Sequence, residues 1–291
     1  MIPRSFEYVS PSTLEQALNY LNEYGPNSKI LAGGQSLIPL MKLRLASPKY
    51  VIDINHISDL DYIREDGAWL RIGALTKHHS IETSELLRHK TQIMSEAASL
   101  IGDPQVRNNG TIGGSLVHAD PAADWGAVII ALGASLRMVS ASGERIVNSD
   151  DFFVDSLTSA AKSNEILAEI RVPLSSRSGG SYTKLERKSG DFATVGVAAQ
   201  LSLNSSGVCE NAGIGLASVA ATSIRARKAE AVLKGKEPTR ARIEEAARAA
   251  SEDSKPTDDP LRGSAEYKRA MVRVFTERAL SHALSRAKNM E

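Results

Sequence analysis

Two double-glycine segments constrain this chain more than anything else in it: Ala32-Gly-Gly-Gln-Ser36 and Thr111-Ile-Gly-Gly-Ser115. Paired glycines reach positive φ and let backbone approach backbone or ligand closely. Successive amides in such a turn can point into one concavity and bind an anion. The hydroxyls of Ser36, Thr111 and Ser115 stand close enough to add donors. Neither segment contains Lys or Arg, so a phosphate there would be held mainly by amides. Any single Gly-Gly pair is equally an ordinary tight turn. Two of them, both flanked by hydroxyls, make phosphate binding a hypothesis worth testing. Other nucleotide motifs are poor. No Gly-x-x-x-x-Gly-Lys-Ser/Thr occurs, which argues against a P-loop. Gly213-Ile-Gly-Leu-Ala-Ser218 lacks the third glycine of a dinucleotide fingerprint and lies in an apparent strand.

The segments sit in a β/α alternation. Ser12-Thr-Leu-Glu15 reads as a capping box, and Leu14, Ala17, Leu18 and Leu21 follow helical spacing up to Gly25-Pro26. Strands are expected at Lys29–Ala32, Tyr50–Ile54 and Leu70–Ala74. A helix at Ser95–Ile101 ends on Gly102, and Asp103–Ser115 is a turn-rich run. Ala122–Leu132 reads as a helix closed by Gly133. Strands follow at Ser135–Val139 and Glu165–Val172. Pro173 and Ser175–Gly180 mark an expected domain boundary. Beyond it, Val195 to Leu203 alternate as a half-buried strand, with Ala212–Val219 as an antiparallel neighbour. Ile243, Ala246, Ala247 and Ala250 share one helix face. Tyr267, Met271, Val274 and Phe275 share another, across a polar loop at Asp253–Gly263. The β/α alternation suggests an α/β or α+β class. One domain is expected over residues 1–175, and a smaller sheet-plus-helix domain over 176–291.

Composition excludes several roles. The 291 residues are 42% hydrophobic, too apolar for a disordered chain. Lys+Arg number 35 and Asp+Glu 34, a formal net charge of +1. That leaves no broad basic field for nucleic acid or an anionic membrane. The opening Met1–Tyr8 lacks the apolar core of a signal peptide. The longest apolar stretch, Ala127–Leu132, is far short of the roughly 20 residues of a membrane span. A cytoplasmic protein with no membrane span is therefore expected. The one cysteine, Cys209, cannot form an internal disulfide or hold an iron–sulfur cluster alone, and reads as a small core residue. His78-His79, placed on a strand, would point to opposite faces and could not share a metal. His118 is either ligand-adjacent or a loop hydrogen-bonder, and Arg107 either assists a phosphate or lies on the surface. Arg225-Ala-Arg-Lys228 reads as a solvated helix face.

Longer stretches around the two glycine pairs carry a family resemblance. Ala32-Gly-Gly-Gln-Ser-Leu-Ile-Pro-Leu-Met-Lys-Leu-Arg-Leu45 and Ile101-Gly-Asp-Pro-Gln-Val-Arg-Asn-Asn-Gly-Thr-Ile-Gly-Gly-Ser115 resemble the FAD-binding medium subunit of molybdenum hydroxylases. The carbon monoxide dehydrogenase type is the most similar, with the flavin domain of xanthine dehydrogenase a relative. The likeness continues through Asp120-Pro-Ala-Ala-Asp124 and Glu165-Ile-Leu167 to Lys184–Phe192.

The resemblance implies the α+β class: an FAD-binding fold of the vanillyl-alcohol-oxidase (PCMH) type in two α/β subdomains (about 1–55 and 56–175), with a C-terminal domain of antiparallel sheet and helices. It implies cofactor contacts from Ala32, Gly33, Gly34, Gln35, Ser36 and Leu37, from Ile101 and Gly102, and from Thr111, Ile112, Gly113, Gly114 and Ser115. Asp124 would contact FAD beside the second segment, through a hydroxyl. Leu167 and Lys184 would lie near the isoalloxazine. Phe192 stands where such relatives carry Tyr, keeping the stacking face without the hydroxyl. Gln35 stands where some relatives have His. No catalytic side chain and no metal ligand is implied in this chain. A large subunit would carry the molybdenum cofactor and a small subunit the iron–sulfur clusters, as a dimer of heterotrimers. This chain would pass electrons from the clusters through FAD to an external acceptor. The substrate would bind another subunit and could be carbon monoxide, an N-heterocycle or an aldehyde. A stand-alone FAD oxidase and a non-redox nucleotide-binding scaffold stay open as alternatives.

Overall fold

Residues 2–289 are described by a computed structural model; Met1, where the opening segment begins, lies outside them. The chain starts with β1 (Glu7–Val9), α1 (Leu14–Tyr24), β2 (Ser28–Leu31), α2 (Leu37–Lys42) and β3 (Tyr50–Asp53). The three strands form a parallel sheet in the order β1-β3-β2. α1 buries Ala17, Leu18 and Leu21 in a cluster with Ile52 of β3 and Ile54 just beyond it. Its cap is Thr13, one residue later than expected. Thr13 has the extended backbone a cap requires, and its Oγ1 accepts the Gln16 amide at 3.2 Å. Gln16, not Glu15, reaches back, taking the Ser12 amide at 3.1 Å.

Next come β4 (Ile63–Asp66), β5 (Trp69–Gly73), α3 (His78–Thr83), α4 (Glu85–Lys90), α5 (Gln92–Ser99), α6 (Pro104–Asn109), α7 (Ile112–His118) and α8 (Asp124–Ala131). β6 (Ser135–Ser140), β7 (Gly143–Asn148), β8 (Phe153–Asp155), β9 (Thr158–Ser159) and β10 (Ile166–Pro173) complete this part. An antiparallel sheet runs β4-β5-β10-β6-β7. The turn-rich run at 103–115 is helical for most of its length, contrary to expectation. Asp103 accepts the Val106 amide at 2.8 Å and starts α6, with Pro104 at the first helical position, where its missing N–H costs nothing. Thr111 accepts the Gly114 amide at 3.2 Å and starts α7.

The last part holds β11 (Ser178–Leu185), β12 (Val195–Leu203), β13 (Cys209–Ala217), β14 (Ile224–Arg225), α9 (Arg227–Leu233), α10 (Arg240–Asp253) and α11 (Ala265–Asn289). Its sheet is antiparallel in chain order. Ser178, Gly179 and Gly180, read as linker, are buried at the start of β11. α11 packs on this sheet through Val272, Phe275, Ala279 and Ala283; Tyr267, expected on that face, is exposed. The opposite face receives α8, every residue of which is buried. A methyl at Gly213 or Gly215 would overlap the carbonyl oxygens of Ala131 and Ala127. The Gly-x-Gly of β13 thus seats a helix on a strand. Arg225 lies in β14, not on a helix, paired with Glu230 at 2.8 Å and Asp150 at 3.1 Å. No helix among the described residues is long and apolar enough to cross a membrane.

Candidate functional site

A cleft of about 790 Å³ opens between the parallel sheet, the start of β10 and the start of α7 and α8. Ala32, Gly33, Gly34, Gln35, Ser36, Leu37, Ile101, Thr111, Gly113, Gly114, Ser115, Asp124, Leu167 and Phe192 line it. Gly102, Ile112 and Lys184 do not. Ile112 is fully buried in the core. Gly102 forms the turn after α5 at φ 52°. Lys184 stands behind Asp124.

The two glycine segments are not equivalent. The first follows β2, and the amides of Gly33, Gly34, Gln35 and Ser36 donate to no acceptor among the described residues. Gly34 adopts φ 73°, the left-handed region that glycine enters freely. Gly33 lies so close to Asn109 and Gly110 that a methyl would strike their backbone. The second pair, expected in a turn, forms the first turn of α7. Its amides are committed: Ile112 to Thr76 O at 3.0 Å, Gly113 to Ala74 O at 2.9 Å, Ser115 to Thr111 O at 3.1 Å. The Thr111 hydroxyl is committed to the Gly114 amide. What the second segment gives the cleft is a bare backbone and the Ser115 hydroxyl. The two segments face each other across Gly114, where a methyl would stand 3.7 Å from Ala32 Cβ.

Asp124, the first residue of α8, is 5% exposed. It accepts the Tyr182 hydroxyl at 2.6 Å and Lys184 Nζ at 3.2 Å. Burial pushes its carboxyl up against the opposing charge of Lys184, and burial beside Asp124 pushes the Tyr182 hydroxyl well up. Lys184 also donates to Leu100 O at 2.9 Å. A carboxylate has about four lone-pair sites, so Asp124 keeps capacity for a further donor. Leu167 is aimed into the cleft by a register shift between Leu167 and Glu169, as bulges do. Phe192, 47% exposed, forms part of the wall on a loop whose Gly190 rests on Gly102.

Several residues read from sequence have other roles. His78 begins α3 and is not on a strand; it accepts the Trp125 indole N–H on Nδ1 at 3.1 Å. Burial pushes it down to about 4. Among the described residues no group of His, Cys, Asp and Glu could hold a metal. Arg107 fastens the turn at the end of α5, pairing with Glu82 at 2.8 Å and donating to Ile101 O and Gly102 O at 3.2 and 3.3 Å. His118 lines the cleft from the last turn of α7. Burial pushes the Cys209 thiol up to about 11. Sequence reasoning missed Lys29 and Lys49 among the lining residues, the latter with its Nζ over the Tyr50 ring at 5.2 Å, and Ala74, Leu75 and His78. The last three reach the wall because residues 74–78 pair with Gly110–Gly113 through backbone bonds, a contact no local pattern announces.

Residues 4–175 match the family model described as FAD binding domain in molybdopterin dehydrogenase. Residues 180–283 match the CO dehydrogenase flavoprotein C-terminal domain. The chain is 41% identical to the carbon monoxide dehydrogenase medium chain of Hydrogenophaga pseudoflava, covering 98% of this chain and 99% of the relative. It is 38% identical to the 6-hydroxypseudooxynicotine dehydrogenase complex subunit alpha of Paenarthrobacter nicotinovorans, covering 99% and 97%. A solved structure of carbon monoxide dehydrogenase from H. pseudoflava, lacking the Mo-pyranopterin moiety, superposes with a TM-score of 0.95. It is 43% identical over 98% of this chain and 99% of that one. The α+β, PCMH-type FAD-binding fold expected from the resemblance is the fold found. The chain belongs to the FAD-binding medium subunits of molybdenum hydroxylase complexes.

Proposed function

We propose that the cleft holds FAD with its pyrophosphate on the amides of Gly33, Gly34, Gln35 and Ser36. We further propose that the chain relays electrons within a heterotrimer, itself paired into a dimer, in the cytoplasm. The molybdenum cofactor would sit on a large subunit and the iron–sulfur clusters on a small one. The observation that carries the reading is the run of four successive amides without a protein acceptor at the edge of the cleft. Donors so exposed and so ordered suit a multiply charged anion. Lys29 and Lys49, two of the residues that line the cleft, would add positive charge that the loops lack.

A bound flavin supplies a store that exchanges one or two electrons. The chain's own residues hold and shield it. Gly114 leaves room beside Ala32, and Ser115 offers a hydroxyl. Asp124, held between Tyr182 and Lys184, accepts a cofactor hydroxyl. Ile101, Leu167 and Phe192 give an apolar wall that excludes water from the ring. Gly102, Ile112 and Lys184 act from behind that wall, supporting Ile101, the second segment and Asp124. Substrate choice falls to the large subunit. This fits relatives named for carbon monoxide and for 6-hydroxypseudooxynicotine that align over nearly the whole chain.

The test is the visible spectrum of the purified chain after FAD is added and unbound FAD removed. Flavin bands that dithionite bleaches are expected, with electron transfer to an external acceptor only when the partner subunits are present. A folded chain that stays colourless refutes the cofactor assignment, and turnover of substrate by this chain alone refutes the relay.

A further inference from the structure

His78 is 4% exposed and yet lines the cleft. Its ring is fixed on two sides. Trp125, fully buried in α8, donates its indole N–H to His78 Nδ1 at 3.1 Å. Indole nitrogen only donates, so Nδ1 must present its lone pair and the ring proton of the neutral form sits on Nε2. On the other side lies Gly110, where a methyl would come within 2.9 Å of both Cδ2 and Nε2. The His78 amide is tied to Gly110 O at 3.0 Å. A protonated ring would set a second N–H against the indole N–H, so the Trp125 bond opposes the cation. Burial, and then the charge of Arg107, push the group down to about 4 for the same net result. A histidine that only fills a core has both nitrogens satisfied. Here Nε2 has no partner among the described residues.

We propose that His78 is a cofactor-binding residue: a neutral donor, locked in the Nε2–H tautomer by Trp125, that meets a hydrogen-bond acceptor on the bound dinucleotide. The inference rests on the reading of this cleft as the FAD site. The donor adds a fixed dipole to the wall and no charge.

Two variants of the full chain separate this role from a structural one. His78→Gln retains an N–H near the Nε2 position. His78→Asn retains an acceptor near Nδ1 for Trp125 but withdraws the donor from the cleft. FAD affinity is measured by flavin fluorescence, and the Tm of the FAD-free chain in parallel. His78→Asn should weaken FAD binding about tenfold, the effect of one lost hydrogen bond, while its Tm stays close to that of His78→Gln. His78→Gln should stay within about twofold of wild type. Unchanged affinity in His78→Asn, or an equal loss in both variants, overturns the donor role alone. A wild-type chain that binds no FAD overturns the cofactor reading and this inference together. Should a variant fail to fold, wild-type chain labelled with 15N-histidine decides the matter. His78 should show a protonated Nε2 and a bare Nδ1 near neutral pH, with the Nε2 signal moving on addition of FAD. An Nδ1–H tautomer, or a signal indifferent to FAD, overturns the inference.

Discussion

Lowering the pH from 8 to 4 should cost the fold about 3 kcal/mol through His78 alone. The group is held at about 4 in the folded chain against 6.5 ordinarily. Between those values the unfolded chain takes up a proton that the native ring refuses, so stability rises with pH through this window and is lost as pH falls through it. At 1.36 kcal/mol per pH unit, integrating down to pH 4 gives the figure of about 3 kcal/mol. The side chain is almost wholly buried, so solvent screening removes little of it. Asp124 acts with the opposite sign: burial raises its carboxyl, so the folded chain holds that proton more readily than the unfolded one. A wild-type pH profile therefore mixes the two. The difference between wild type and His78→Gln, which cannot titrate, isolates the histidine. Denaturant unfolding of both FAD-free chains across pH 4 to 8 is the assay. The variant should lose about 3 kcal/mol less than wild type over that range, a gap in Tm of about 5 °C for a chain of this size. Stability curves that run parallel for the two chains would refute both the buried neutral ring and its lock.

Further outcomes follow at five residues. Gly33→Ala drives a methyl into the backbone of Asn109 and Gly110 and should cost about 1–3 kcal/mol together with FAD retention. Gly114→Ala, which meets only the Thr111 side chain and Ala32, should be milder; the reverse order in Tm and flavin content would contradict the facing-segment geometry. Gly215→Ala places a methyl against the Ala127 carbonyl, and an unchanged denaturation midpoint would show that α8 does not seat there; about 1–3 kcal/mol of destabilisation is expected. Tyr182→Phe removes the 2.6 Å donor to Asp124 and should cost about 1.5–3 kcal/mol by denaturant unfolding, with no loss if the pair is incidental. Cys209, buried and pushed up to about 11, should resist a thiol reagent near pH 8 in the folded chain and react on unfolding.

The alternating strands and the charged helices of the second half were legible because each buries one periodic face. The glycine segments were legible as a pair but not as different objects. Asp-Pro, Asn-Asn-Gly and Gly-Gly read as turns, yet Asp103 and Thr111 each cap a helix. The carbonyls that absorb the Ile112 and Gly113 amides belong to Thr76 and Ala74, more than thirty residues away. Strand alternation says nothing of His78-His79, because His78 starts a helix. The partner that defines His78 is Trp125, which only tertiary packing brings near. Gly213 and Gly215 were rightly placed on a strand, while their purpose depended on the course of α8.

α8 explains why the cleft needs both halves of the chain. Its first residue, Asp124, lines the cleft, and its second, Trp125, locks His78. Its far side lies on β13 through the two glycines. The donors that hold the Asp124 carboxylate, Tyr182 and Lys184, come from β11. Glu96 of α5 binds the Tyr182 amide at 3.0 Å and Arg286 of α11 at 2.8 Å, which fastens that strand in place. A buried carboxylate stripped of such donors would bear the full cost of its desolvation. The C-terminal sheet is therefore part of the cleft's foundation, because the side-chain donors that meet the Asp124 carboxylate, Tyr182 and Lys184, come from β11.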